Sequence, residues 1–213
     1  MIQNIIAAKF SGIPFMSHQV FLALVAFAFV TSITPGPNNL MLMASGANFG
    51  MRRTLPHMLG VALGFGAMVA VLGLGLDRII ANSPVLAQGL KWISLAYVLW
   101  LAWKIAHSAP PEAKGASSSS RPMGFVAACA FQWVNPKAWM MALGALSAYA
   151  VGTGGAIGVA LVFTLVNLPS VAVWAAMGQG LRGWLQNPSR LRIFNWTMAL
   201  LLVGSMLPVL SQH

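Results

Sequence analysis

Two short stretches place helix-breaking and polar residues inside otherwise apolar sequence. The first, SITPGPNNLM, covers residues 32 to 41 and lies between the runs VFLALVAFAFV and LMLMASGA. The second, VNPKAW, covers residues 134 to 139. Proline removes a backbone donor and clashes with the preceding turn, so each stretch predicts a broken or kinked helix. The candidate binding residues in the two stretches are Thr34, Pro35, Gly36, Pro37, Asn38, Asn39, Asn135, Pro136 and Lys137.

The chemistry that such residues could perform is the binding of a zwitterion. Helices that begin near Pro37 and Pro136 would point N-terminal amides inward, and such helix ends carry partial positive charge that favours an anion. The half-helices that precede them would offer free carbonyls near Ile33 and Val134 to a cation. Asparagine side chains and the Thr34 hydroxyl would add hydrogen-bond donors and acceptors.

Lys137 and Asn167 have both a functional and a structural interpretation. Lys137 is the one basic residue deep within an apolar stretch, where a charge is costly and is functional by default. The alternative is that it snorkels or binds a backbone carbonyl. Asn167 and Pro169, in LVNLPS, predict a third polar break along the same path, with a simple kink as the alternative. The prolines and asparagines of the first stretch could likewise serve only to kink the helix and satisfy its freed backbone.

The composition predicts that a membrane protein positions these residues. The chain has 213 residues, of which 58% are hydrophobic and 7% charged, and its mean hydropathy is +0.78. A soluble domain averages about 25% charged residues. The formal net charge is +10, but the basic residues lie between apolar segments. That pattern indicates topology signals and contacts with lipid headgroups, and it argues against a nucleic-acid partner.

The apolar segments predict six membrane spans. A span needs about 20 apolar residues, which gives helices over residues 18–49, 54–76, 84–107, 122–150, 154–178 and 192–209. The first and fourth are too long for one straight span and contain the two proline stretches. Residues 1–15 are expected to be an N-terminal extension, interfacial or disordered, and residues 108–121 a polar mobile loop. Close helix contacts are expected at four pairs of small residues: Gly46 and Gly50, Gly60 and Gly64, Gly154 and Gly158, Ala176 and Gly180.

The two halves of the chain, residues 16–107 and 122–213, resemble each other weakly. FVTSITPGPNNLM is similar to FQWVNPKAWMM, with Thr34-Pro35 matching Asn135-Pro136. Each half contains three spans, an odd number, so the second half would be inverted relative to the first. The predicted fold is therefore an all-α integral membrane protein of six transmembrane helices in two inverted three-helix repeats, with the first and fourth helices broken.

The distribution of basic residues predicts the orientation in the membrane. The side opposite the termini has eight basic residues in its loops, whereas the other side has Lys9 and Arg78, with Lys91 near a helix start. Because basic loops stay in the cytoplasm, both termini are expected outside. The eight residues are Arg52, Arg53, Lys104, Lys114, Arg121, Arg182, Arg190 and Arg192.

An enzymatic or metal-dependent function is not indicated. The single cysteine, Cys129, excludes an internal disulfide and a paired-thiol redox conduit. The four histidines lack metal-ligand spacing, and His57, the one near a helix interior, has no serine motif with which to form a protease site. We therefore expect no enzyme activity, no cofactor and no metal site. A metal-cation exporter on the same fold and a non-transporting membrane scaffold are kept as alternatives.

The proline stretches also carry a family resemblance. TPGPNNLMLMASGANFGMRR resembles the signature of the LysE/RhtB superfamily of bacterial amino-acid exporters, and VNPKAWMMALGALSAY resembles its second-half motif. The resemblance covers the chain from about Met16 to the end and leaves residues 1–15 outside the pattern. It implies an efflux carrier of the cytoplasmic membrane, similar to the RhtB-like threonine/homoserine branch, that exports amino acids or close derivatives and is driven by the proton gradient. The oligomeric state stays open, with a homodimer as one option.

The charges of the candidate site predict which amino acids it accepts. Two helix N-termini and Lys137 would suit a carboxylate, and an α-ammonium could rest on free carbonyls, on asparagines, or against Trp133 or Trp139. A second positive charge would have no counter-ion, because the spans contain no central Asp or Glu. We therefore expect export of neutral amino acids such as threonine, homoserine or branched aliphatic ones, with basic amino acids as the alternative.

Overall fold

The computed structural model describes residues 17–76, 83–108, 121–150 and 155–207, and all regular structure within these ranges is helical. The helices are α1 His18–Ile33, α2 Pro37–Phe49, α3 Met51–Val71, α4 Pro84–Ala106, α5 Phe125–Gln132, α6 Pro136–Tyr149, α7 Gly155–Leu181 and α8 Pro188–Gly204. A wide turn, Leu72–Leu76, continues α3, and a short 3₁₀ helix, Trp184–Gln186, precedes α8. The predicted extension, residues 1–15, lies outside the described residues, as do residues 109–120 of the predicted loop.

Both predicted helix interruptions are present. The first long segment is divided into α1 and α2, whose axes differ by 55° across the break. Pro37 occupies the first turn of α2, where the missing N–H would be unpaired in any case. The second segment is divided into α5 and α6, with Pro136 in the equivalent position and Asn135 as the N-cap of α6. The third expected break is absent, because α7 continues through Pro169.

Apolar helices long enough to cross a membrane account for part of the predicted topology. Among the described residues, Met51–Gly75 and Gly155–Leu181 meet that requirement singly, and α1 with α2 meets it as one bent pair. These two or three segments agree with an integral membrane protein.

Helix α7 is central to the bundle and packs closely on α2. A Cβ on Gly46 would lie 2.1 Å from the Ala175 carbonyl oxygen, and one on Gly178 would lie 2.0 Å from the Met43 carbonyl oxygen. Only glycine permits backbones to approach this closely. Elsewhere along α7, Phe163 and Phe65 of α3 meet edge to face, with ring centroids 5.2 Å apart.

The small-residue prediction is correct for Gly46, Gly60 and Gly64 and wrong for Gly158 and Gly180, and Gly154 lies outside the described residues. Gly60 and Gly64 of α3 contact the α5 backbone, where a Cβ would lie 2.4 Å from the Phe125 carbonyl oxygen and 2.5 Å from the Cys129 Cα. A Cβ added to Gly158 or to Gly180 would meet no atom of the described residues within 4 Å, so the expected contacts are absent from this part of the chain. The reason is that α7 turns Ala175 and Gly178 toward its neighbour, rather than Ala176 and Gly180.

The two helices that follow the breaks are packed differently. In α2, 10 of 13 residues are buried, whereas in α6 only 3 of 14 are buried. Helix α2 therefore lies inside the bundle and α6 lies at its edge, although both begin with a proline after an equivalent break.

Candidate functional site

The backbone carbonyls at the end of α1 accept hydrogen bonds from side chains elsewhere in the chain. Trp174 of α7 donates its indole N–H to the Ile33 carbonyl at 3.0 Å. Asn39 donates through Nδ2 to the Ser32 and Thr34 carbonyls, both at 2.7 Å. The expectation of a free carbonyl at Ile33 is therefore wrong. A carbonyl without a partner costs several kcal/mol in an apolar medium, and the bundle supplies donors to avoid that cost.

Lys137 joins the second break to the first. Its ammonium donates to the Thr34 carbonyl at 2.7 Å, to the Thr34 hydroxyl at 2.9 Å and to the Pro35 carbonyl at 3.3 Å. An ammonium has three donors, so these contacts use its full capacity. The contacts with backbone carbonyls that the alternative interpretation of Lys137 predicts are thus present in this conformation. The positive charge also faces the partially negative C-terminal end of α1.

Gly36 makes room for this lysine. A Cβ at Gly36 would lie 2.5 Å from Cδ of Lys137. The backbone of Gly36 is extended, with φ −179°, a conformation that any residue can adopt. The glycine is therefore needed for the close approach of the Lys137 side chain and not for its own backbone geometry.

The second break has its own internal hydrogen bonds. Asn135 Oδ1 accepts from the backbone N–H of Lys137 at 3.2 Å, which caps α6. Trp139 donates its indole N–H to the Trp133 carbonyl at 2.9 Å. In this break the carbonyl with a side-chain donor is thus that of Trp133, one residue before the Val134 carbonyl that the sequence indicates.

A pair of amides connects the start of α2 with the end of α5. Asn38 donates to Gln132 Oε1 at 2.8 Å, and Gln132 donates back to Asn38 Oδ1 at 3.2 Å. Gln132 also donates to the Ala128 carbonyl at 2.9 Å and is fully buried. Gln132 is not among the residues predicted from the sequence. The available signal was a lone amide at the end of the apolar run FVAACAFQ, directly before the second break.

These contacts surround a small polar cavity of about 20 Å³ between the two breaks. One water needs roughly 10–15 Å³ by this kind of measure, so the cavity is too small for an amino acid in this conformation. The Ser32 hydroxyl is buried here, and no described residue forms a hydrogen bond with it. The predicted residues that line the cavity are Gly36, Asn38, Asn39, Asn135, Lys137 and Asn167, of which Asn167 reaches it from α7.

The other four predicted site residues do not line the cavity. Thr34 and Pro35 accept hydrogen bonds from Lys137 through their carbonyls, and Thr34 also through its hydroxyl, but neither residue lines the cavity. Pro37 and Pro136 occupy the first turns of α2 and α6.

The described residues include no Asp or Glu, because Asp77 and Glu112 both lie outside them. Among the same residues, no group of three His, Cys, Asp or Glu could hold a metal ion. The site is thus polar and cationic.

Comparisons with known proteins agree with one another. A family described as LysE type translocator matches residues 29–211 of the chain. The cysteine/O-acetylserine efflux protein of Escherichia coli (strain K12) is 31% identical over 193 residues, which are 88% of this chain and 96% of that protein. The protein of the same name from Klebsiella pneumoniae is 30% identical over 192 residues, 88% of this chain and 95% of its own length. No solved structure matches the chain.

Proposed function

Because the chain belongs to the LysE type translocator family, within the LysE/RhtB superfamily, we propose that it is a secondary-active carrier that exports small neutral amino acids from the bacterial cytoplasm. The relatives are named for the efflux of cysteine and O-acetylserine, which both have neutral side chains. We therefore place these two compounds first among the substrates. Threonine, homoserine and branched aliphatic amino acids belong to the same chemical class.

The observation that carries this proposal is the interlocking of the two helix breaks around a polar cavity. In this conformation the Lys137 ammonium donates a hydrogen bond to the Thr34 carbonyl at 2.7 Å. When the breaks separate, the ammonium becomes available to a carboxylate, and the carbonyls of Thr34 and Pro35 become available to an α-ammonium. A zwitterion could thus replace this internal contact between an ammonium and carbonyl dipoles without leaving either group unpaired. The substrate site would comprise Thr34, Pro35, Gly36, Pro37, Asn38, Asn39, Asn135, Pro136, Lys137 and Asn167.

The same electrostatics favour neutral over basic substrates. Lys137 would repel a second ammonium on lysine or arginine, and the described residues offer no carboxylate to neutralise it. An unpaired charge in a medium of low dielectric is expensive.

We propose the proton gradient as the driving force. Lys137 is the titratable group that lies directly in the proposed site, so we propose it as the residue that couples the movement of substrate to that of protons.

The proposed arrangement in the membrane is six spans in two inverted repeats, residues 16–107 and 122–213. The loop around Lys114 would face the cytoplasm and both termini the outside, in line with the bias of basic residues.

Counterflow in proteoliposomes tests the proposal. Liposomes loaded with one unlabelled amino acid should accumulate its labelled form when it is a substrate. The panel is cysteine under reducing conditions, O-acetylserine, threonine, homoserine, leucine, lysine and arginine. We expect exchange of one or more neutral members and none of lysine or arginine. Exchange restricted to the basic amino acids would contradict the electrostatic argument, and exchange of none would contradict the assignment as an amino-acid carrier.

A further inference from the structure

A second, much larger cavity lies away from the helix breaks. It has a volume of about 540 Å³ and is bounded by the end of α2, the end of α4 and the start of α5. We call it the vestibule and define it by the lining residues Ser45, His57, Trp100, Lys104, Arg121 and Ala127. Pockets for small molecules typically measure about 300–1,000 Å³, so the vestibule has room for an amino acid where the central cavity has none.

His57 lines the vestibule with an imidazole that forms no hydrogen bond with the described residues. The side chain is 2% exposed, and neither ring nitrogen has a hydrogen-bond partner among the residues that the structure describes. Buried polar groups nearly always have partners, and an exception calls for a bound water or ligand. Because His57 lines the vestibule, a molecule held there could provide that partner.

The charged and aromatic lining defines the kind of molecule that would fit. Lys104 and Arg121 are both cationic, and none of the described residues that line the vestibule is acidic. The Lys104 ammonium lies 4.6 Å from the centre of the Trp100 ring, so the cations adjoin an aromatic surface. Tyr97 and Trp103 extend that surface. A carboxylate with a small, largely apolar body satisfies both parts of this lining.

We infer that the vestibule is a loading site, in which an amino acid binds by its carboxylate to Lys104 and Arg121 and hydrogen-bonds to His57 before it enters the central site. The inference rests on the proposed function and adds a binding site that is separate from the helix breaks. Lys104, at the end of α4, and Arg121 are among the basic residues predicted to lie on the cytoplasmic side, which is the side from which an exporter takes its substrate.

The course of α2 connects the two cavities. Asn38, Met41 and Ser45 are spaced three and four residues apart and therefore share one face of the helix. Met41 and Ser45 line the vestibule, whereas Asn38 lines the central cavity. On α5, Ala127 lines the vestibule, and Gln132, just over one turn further on, holds Asn38. The Asn38–Gln132 amide pair thus lies between the two cavities, where its opening would join them.

Protection of an introduced cysteine from alkylation tests the loading site. Cys129→Ser removes the single native thiol, and Ala127→Cys then places one thiol in the vestibule. The matched control is Ala130→Cys, because Ala130 is exposed on the same helix but does not line the vestibule. Each protein, in phosphatidylcholine nanodiscs, is alkylated with N-ethylmaleimide with and without O-acetyl-L-serine. We expect the rate at Ala127→Cys to fall severalfold with the amino acid and the rate at Ala130→Cys to stay unchanged.

Counterflow of O-acetyl-L-serine by the Cys129→Ser protein separates failure of the loading site from failure of the proposed function. Counterflow without protection of Ala127→Cys would overturn the loading site alone. Absence of counterflow for the whole panel would remove the proposed function and the loading site with it. If phosphatidylglycerol in the nanodiscs lowers the rate and O-acetyl-L-serine does not, the vestibule is a site for lipid headgroups and the inference is wrong.

Kinetics provide a second, independent measurement. Arg121→Gln removes a cation from an exposed position and leaves the helix breaks untouched. We expect it to raise the KM for counterflow severalfold with little change in kcat, since it weakens loading and not passage. His57→Gln, which keeps a hydrogen-bonding side chain, should have a smaller effect than His57→Leu. An unchanged KM in both Arg121→Gln and His57→Leu would contradict the inference.

Discussion

At the scale of single residues, the first helix break depends on donors that lie far away in the sequence. Trp174 reaches the Ile33 carbonyl across 141 residues, and Lys137 reaches the Thr34 carbonyl across 103. The broken backbone is therefore stabilised by the second half of the chain. The same donors and acceptors are those that a zwitterionic substrate needs, which links the stability of the break to its proposed use.

The Lys137 ammonium is the residue-scale feature with the clearest expected effect. Lys137→Ala should lower the initial rate of counterflow by about 10- to 100-fold, because hydrogen bonds to a charged group are worth about 1.5–3 kcal/mol and each 1.4 kcal/mol is tenfold. The measurement is the initial rate per amount of inserted protein.

Two glycines provide the matched comparison for this lysine. Gly36→Ala keeps the charge but displaces the Lys137 side chain, so it should also lower the rate. Gly183→Ala has nothing within 4 Å of the new Cβ and a helical backbone, so it should leave the rate unchanged. Normal transport by Lys137→Ala would limit that residue to a structural role.

The types of the site residues could be predicted from the sequence, whereas their pairings could not. Proline and asparagine are local signals: the prolines correctly located both breaks, and the asparagines of these stretches are among the residues that line the cavity. The partners of Asn38 and Ile33 depend on which helices pack together, and no local pattern in the sequence reports this. Gln132 was missed for the same reason, since its role arises only when α5 meets α2.

At the scale of helices, the two halves differ in packing despite their similar breaks. Helix α2 is enclosed by α7, α3 and α8, while α6, at the edge of the bundle, has only 3 of its 14 residues buried. In carriers built from repeats, access alternates as one part of the bundle moves against the other. The looser α6 is the part that can move with the smaller loss of packing.

The glycine contacts between α2 and α7 predict a loss of stability when they are filled. Gly46→Leu should unfold the protein at a clearly lower temperature, because the new side chain would overlap the Ala175 backbone, which cannot move aside without separating the helices. Gly180→Leu, on the open face of α7, is the control and should have little effect. The measurement is thermal unfolding in detergent, and equal melting temperatures would contradict the packing described.

Helix boundaries were more predictable than helix contacts. The predicted and observed starts of α1 and α4 coincide at His18 and Pro84, because an N-cap serine precedes α1 and a proline opens α4. The pairs that include Gly158 and Gly180 were wrong, because small-residue spacing marks a surface capable of close contact without identifying a partner.

At the scale of the whole molecule, charge is distributed very unevenly. The chain has twelve Lys and Arg residues but only two acidic residues, and eight of the twelve lie in the loops predicted to be cytoplasmic. This asymmetry predicts that reporter fusions at residue 115 are active in the cytoplasm and that fusions at the C-terminus are active outside. A cytoplasmic signal from the C-terminal fusion would require an even number of spans after residue 115 and would contradict the inverted repeats.

The most direct test of the central claim is counterflow by a variant whose first helix is not broken. Replacing Pro35, Gly36 and Pro37 together by alanine should let α1 continue into α2, which removes the exposed backbone groups at the break. The variant is compared with the native protein for a transported neutral amino acid, at equal amounts of folded, monodisperse protein. We predict that the native protein exchanges the amino acid and that the variant does not. Equal exchange by both would show that the break serves packing only and that the substrate binds elsewhere.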